Sequence, residues 1–280
     1  EWRWRESEQL FRRALALDPN NADAHIWYAY HLSSLGRCRE GIIHAATAAA
    51  LAPGSNWHQF GLPRIYKCVG DFAAVDRLYD AAFEKQPRNL FLAREIYIYR
   101  LMQGDAGRLR AMAQRMRDNA EGAGDAGAQL ALASRIEAGA AALEGNPVPL
   151  LGEIAREERD LAVRQAAGSA ATEGRHNPDL VFLLSLEAAV AGDVDASLRL
   201  LQLALAGRSL YVSESLPYGV FEYTPAVRAD SRYKALWRTD PALAELARLR
   251  LESLRKREMA GFSPDGATVT ARTVEDVDIR

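Results

Sequence analysis

The sequence predicts an all-α protein built from repeated helix pairs. Three observations carry the prediction. The 280 residues include 50 alanines and 35 leucines, a composition of helix formers. Pro19, Pro53 and Pro87 are spaced by 34 residues. Gly36, Gly70 and Gly104 are spaced by 34 as well, each 17 residues after a proline. A 34-residue period in a helix-forming chain reads as a helix–turn–helix unit. The glycine ends the first helix, where a left-handed residue is needed. The proline falls just past the second helix, which it cannot continue.

The elements follow in order. Residues 7–21, SEQLFRRALALDPNN, read as a second helix and its exit turn. Counting that as the first repeat, residues 22–53 form a complete second, 56–87 a third and 90–121 a fourth, in which the turn proline is missing. Pro63 falls inside a helix of the 56–87 pair, where a lost hydrogen bond predicts a bend. Residues 122–127, GAGDAG, read as a flexible break. Helices are expected at 128–144 and 150–160, then from the Asn177–Pro178 start to Asp193, and over 194–207. These make a degenerate fifth hairpin and a better-formed sixth. Residues 208–228 are aromatic and carry prolines without helical period, so an ordered loop is expected. Helices at 229–237 and 241–259 close the chain, and 261–280 read as a tail. The resulting division is 1–121 regular repeats, 122–207 degenerate hairpins, 208–260 loop and capping helices, and 261–280 tail.

Composition excludes several functions. The net charge is −2, so no chain-wide basic field for nucleic acid exists. No uncharged apolar run reaches the length of a membrane span. Two cysteines are too few for a cysteine-rich zinc module or a disulfide scaffold. Cys38 and Cys68 fall near the turns of neighbouring pairs. Free, half-buried thiols are the expectation there, with a disulfide as the alternative. His25 and His31 lie on different faces of one helix, and His44, His58 and His176 have no His or Cys four residues away, so no metal site is expected. GAGDAG lacks the Lys-Ser/Thr of a phosphate loop, and no G-x-S-x-G occurs. Glu157 to Asp160, EERD, reads as a solvated helix face. The Arg-rich stretch 246–258 reads as cations complementing a helix C-terminus, with a basic binding patch as the alternative. The expectation is therefore a chain that is not an enzyme and has no cofactor.

The period and its punctuation resemble the tetratricopeptide repeat (TPR) family. Phe11, Ala14 and Pro19 stand at that family's large, small and turn positions. Tyr28, Ala29, Leu32, Leu35, Gly36, Gly41, Ala48 and Pro53 match one repeat, and Leu62, Tyr66, Gly70, Tyr79, Ala82 and Pro87 the next. The resemblance implies a right-handed α-solenoid of TPR hairpins with degenerate C-terminal repeats. It also implies a concave face lined by positions 2, 5, 9 and 12 of the first helices. These are Asp23, Ile26, Tyr30 and Ser33, then Trp57, Phe60, Arg64 and Lys67, then Phe91, Arg94, Ile98 and Leu101. The implied groove for a protein or peptide is apolar and aromatic, with Ile26, Tyr30, Trp57, Phe60 and Ile98 beside the fixed charges Arg64, Lys67 and Arg94. Several of these side chains are alternatively inter-repeat packing. The Lys/Asn clamp by which some TPRs hold an acidic C-terminus is replaced by Ile26 and Tyr30.

A narrower resemblance rests on the opening WRWRESEQLFRRALALDPNN, with Trp2 and Trp4, and on TPAVRADSRYKALW at 224–237. It is similar to the C-terminal half of bacterial proteins that join a winged-helix transcription regulator or a nucleotide cyclase domain to TPRs. It implies a sensory or regulatory module of a larger protein, with no nucleic-acid contact and no membrane segment of its own. The implied compartment is the cytoplasm, or the periplasm if an upstream membrane segment exists. The chain begins at a second helix, so truncation is expected, with the open N-terminal repeat either self-associating or capped by the C-terminal helices. The alternative is an accessory or substrate-binding domain of an enzyme, with its site under the 208–228 loop at Tyr211, Glu214, Glu222 and Tyr223.

Overall fold

A computed structural model describes residues 3–120, 124–166, 177–209, 211–212 and 224–259. Trp2, His176, Glu214, Glu222, Tyr223 and the 261–280 tail lie outside the described residues. Among the described residues there are fourteen α-helices, one 3-10 turn and no strand. The helices are α1 (Trp4–Leu17), α2 (Ala22–Ser34), α3 (Cys38–Leu51), α4 (Asn56–Tyr66), α5 (Phe72–Lys85), α6 (Leu90–Gln103) and α7 (Ala106–Ala120). There follow α8 (Ala126–Leu143), α9 (Val148–Ala166), α10 (Pro178–Val190), α11 (Val194–Ala206), α12 (Pro225–Ala229), α13 (Ser231–Thr239) and α14 (Pro241–Met259).

The 34-residue period is visible in the helix boundaries. First helices start at 22, 56 and 90, and second helices at 38, 72 and 106. Gly36, Gly70 and Gly104 have φ of +74°, +72° and +68°, the left-handed conformation that ends a helix without a Cβ penalty. Helices α1, α3 and α5 end two residues before Pro19, Pro53 and Pro87. The helix starts are capped in the same phase. Asn21 and Asn89 accept the N–H of Ala24 and Leu92, at 2.8 and 3.1 Å. Asp71 and Asp105 accept those of Ala74 and Arg108, at 2.9 and 3.0 Å. Each satisfies an otherwise orphaned donor. Helix α4 runs through Pro63 and tightens into the 3-10 turn Lys67–Val69.

The chain divides into two compact units. The first comprises Glu1–Ala82, Ser213–Gly219 and Lys234–Arg280. In it α2 packs against α1, α3 and α4. Its core holds Ile26, Ala29, Tyr30, Ala45, Ala48 and Ile65, with Ile42, Trp57 and Leu62 at the edge. Gly61 sets the closeness of α2 and α4: a Cβ there would fall 2.2 Å from Ile26 Cδ1. The start of the N-terminal helix is covered, while Leu10 and Leu17 further along it are exposed. Trp4 is buried and donates its indole N–H to the Ala242 carbonyl at 2.9 Å, which brings α14 onto the first turn of α1.

The second unit comprises Phe83–Val212 and Val220–Tyr233. Here α6 packs on α7 and α8, α8 on α9, and α10 on α11. Helix α7 also packs along α8, so the break at 122–127 does not part these two helices. Helix α10 is apolar nearly all round, and residues 181–189 are all buried. One expectation is corrected in this unit. Within 208–228, read as loop, α12 forms at Pro225–Ala229, because proline suits the first helical turn.

Candidate partner-binding surface

On the first unit, α2 and α4 place three rings together. Trp27 and Trp57 have centroids 5.4 Å apart. Tyr30 meets both edge-on, at 5.8 Å from Trp27 and 6.0 Å from Trp57. Edge-to-face geometry sets the positive rim of one ring against the negative face of another. The Arg64 guanidinium carbon lies 4.7 Å from the Tyr30 centroid, within cation–π range. Trp27 is 39% exposed and Trp57 half-buried, so the cluster reaches the surface through its tryptophans. Beside them, the exposed Asp23 carboxylate lies 3.1 Å from His58 Nε2, and Ser55 Oγ lies 2.7 Å from His58 Nδ1.

The implied groove residues fall into distinct places. Ile26, Tyr30, Phe60 and Arg64 are buried in the first unit, and Lys67 is half-buried in its 3-10 turn. Ile98 is buried in the second unit, where Arg94 and Phe91 on the same helix are exposed. The structure brings Ile26, Tyr30, Trp57 and Arg64 together. Arg94 and Ile98 belong to the other unit. Helix α2 packs against three neighbours, so most of its length is interior. Trp27 did not emerge from the family positions. The signal was its spacing: Trp27 and Tyr30 are three apart and share a helix face.

A second cluster lies where α1, α2 and α3 meet. His25 Nε2 is 3.0 Å from the Pro19 carbonyl, which only accepts, so this nitrogen carries the proton. His25 Nδ1 then accepts from His44 Nδ1 at 2.8 Å. Burial and the neighbouring His25 lower the pKa of His44. His31 is buried among Trp4, Phe11 and Tyr28, and its Nε2 has no hydrogen-bond partner among the described residues. Burial holds its pKa down to about 4, so the ring is neutral at pH 7. Burial works against the charge on Glu8, yet Arg37 and Arg12 hold its pKa below the usual carboxylate value. Among the described residues no group of three or more His, Cys, Asp or Glu is placed to hold a metal ion.

Three further expectations are corrected. Cys38 and Cys68 are not free thiols: they form a disulfide, with Cα atoms 5.5 Å apart, and both are buried. The helix turns at 36 and 70 bring these two positions together across neighbouring pairs. EERD is not wholly a solvated face, because Glu157 pairs with Arg135 at 3.1 Å and Glu158 with Arg199. The Arg-rich stretch is not all surface either. Arg250 is buried and donates to the Ser34 carbonyl at 2.7 Å, so this cation completes the C-terminus of α2. Of the alternative site under 208–228, only Tyr211 is described. It is half-buried and stacks on Phe182 at 6.3 Å.

The second unit holds a buried polar triad. Arg135 donates from Nε and Nη2 to the two oxygens of Glu187, at 2.8 and 2.6 Å. Tyr97 donates its hydroxyl to the same carboxylate at 2.8 Å. Burial, then the adjacent Glu187 charge, pushes the Tyr97 hydroxyl pKa well up. No family model, curated protein or solved structure matches the chain.

Proposed function

We propose that the chain is a protein- or peptide-binding scaffold of the TPR kind, with its helix pairs stacked as a right-handed solenoid. In this reading it is the regulatory or sensory part of a larger bacterial regulator and carries no catalytic role. The phase of the helix starts, 22, 56 and 90 against 38, 72 and 106, supports the repeat assignment. The observation that carries the binding role is the Trp27–Trp57 pair, half-open to solvent on a backing of Tyr30 and Arg64. Tryptophan, tyrosine and arginine are the side chains in which interface energy concentrates.

The pair suits an apolar side chain of an extended or helical peptide, laid across the exposed indole surface. Removing a true anchor of this kind costs about 2 kcal/mol or more, near thirtyfold in affinity. The test is a panel of peptides titrated into the chain while its tryptophan fluorescence is followed. Trp27→Ala and Trp57→Ala are compared with Arg94→Ala and Tyr211→Ala, each variant checked for helix content. A ligand that ignores both tryptophan variants and is lost with Tyr211→Ala refutes the reading.

A separate observation bears on the compartment. A buried disulfide persists where thiols are oxidised, so Cys38–Cys68 favours the periplasmic alternative over the cytoplasm.

A further inference from the structure

The Cys38–Cys68 disulfide is buried beside a residue of the last described helix, Arg250 of α14. Cys38 is the first residue of α3, and Cys68 is the middle residue of the 3-10 turn. Their residual exposures are 4% and 3%. Thiol–disulfide exchange needs a thiolate to approach one of the sulfurs, so burial of both blocks it. Arg250 of α14 reaches the same place. The Ser33 carbonyl lies 3.7 Å from Cys68 Sγ and 3.4 Å from Arg250 Nη1. Arg250 also holds the Ser34 carbonyl, and its guanidinium lies over Gly36: a Cβ there would be 3.7 Å from Arg250 Cζ. Two residues on from Gly36 is Cys38. Arg250 is 2% exposed, so its guanidinium is part of the packed interior at the α2–α3 turn. The same helix is fastened to α1 by Trp4 on the Ala242 carbonyl and by Arg5 on Glu252.

We infer that the first unit closes in two steps: a thiol–disulfide oxidant joins Cys38 to Cys68, and α14 then docks and makes the bond inaccessible. In the first step the two thiols lose two protons and two electrons. An oxidised disulfide donor takes them up and leaves as its dithiol. Synthesis order gives this step time. Arg250 follows Cys68 by 182 residues (250 − 68), about 10–40 s at ribosomal rates of about 5–20 residues per second. During that interval both cysteines exist without the cover of α14. The inference extends to the native protein, where exchange waits for α14 to open.

The experiment uses the oxidised full-length chain in native buffer. Dithiothreitol is added, samples are alkylated over time, and the number of alkylated cysteines is read by intact mass. In the wild type the reduction rate is expected to level off as dithiothreitol rises, because opening limits it. Arg250→Ala is expected to reduce at least tenfold faster at unchanged helical circular dichroism. Trp4→Phe removes the hydrogen bond to Ala242 and part of the buried ring while leaving Arg250 in place, and is expected to fall between. Wild-type reduction that rises linearly with dithiothreitol throughout, at the rate of an exposed disulfide, overturns the proposal. So does an Arg250→Ala chain that keeps its helix signal and reduces at the wild-type rate. Should Arg250→Ala lose its helix signal, Trp4→Phe decides, and a rate equal to wild type overturns the proposal equally.

Discussion

Arg135 and Glu187, 52 residues apart, form a two-point ion pair in the second unit, and the Glu187 side chain has no exposure to solvent. Tyr97 completes the carboxylate's partners, and it fits because Gly139 has no side chain: a Cβ there would fall 2.7 Å from the Tyr97 hydroxyl. Breaking a buried pair by removing one partner strands the other charge, which costs about 3–5 kcal/mol. Arg135→Met is therefore expected to destabilise the chain by about that amount in urea denaturation. The double variant Arg135→Met/Glu187→Leu is expected to recover much of the loss, since no buried charge is then left unpaired and Glu157, the other partner of Arg135, is open to solvent.

Acid is expected to weaken the first unit before carboxylates titrate. The pKa of His31 is lowered from 6.5 to about 4, and that of His44 is lowered as well. A base with a depressed folded pKa takes its proton more readily when unfolded. Stability from these rings is complete above about pH 6.5 and falls as pH drops, for His31 until about pH 4. For His31 the shift corresponds to about 3 kcal/mol across that window. Urea midpoints at pH 7.5 and pH 5 measure it. His31→Leu should flatten the difference, and an unchanged slope in that variant contradicts the assignment.

Gly61→Ala is expected to cost about 1–3 kcal/mol, as overpacking does in a filled core. The added methyl collides with Ile26 Cδ1. Ile26→Val removes that atom, so Gly61→Ala/Ile26→Val should be more stable than Gly61→Ala alone. Thermal melts of the three variants check the sign. Additive losses would mean that the two helices move apart instead.

Cys38→Ala/Cys68→Ala is expected to lower stability by about 3–4 kcal/mol, from the unfolded-chain freedom that a loop of this length restores. The comparison is the oxidised wild type against the double variant in guanidinium, both without reductant.

The helix pairs of the first 120 residues were legible because their punctuation is local. A left-handed glycine, a helix-stopping proline and a capping Asn or Asp each act within a few residues, so their 34-residue phase appears directly in the sequence. What was not legible depends on pairs far apart in the chain. Tyr97 meets Glu187 at a separation of 90, and Arg250 meets Ser34 at 216. A buried Arg or Glu looks like a surface charge until its partner is placed. The candidate site shows the same limit. The 2, 5, 9, 12 positions named Trp57 and Tyr30 but not Trp27, because position counting does not say which side of α2 its three neighbours cover.

The disulfide also has a consequence for how this gene can change. A helix pair that carries its own cap and its own stop is a cassette: a 34-residue insertion or deletion restores every signal downstream. Cys38 and Cys68 lie in adjacent cassettes, the α2–α3 pair and the α4–α5 pair with its 3-10 turn. Excising either one leaves an orphan thiol in a buried position. These two pairs are thus bound to be inherited as a doublet, while the pair that follows them carries no such tie.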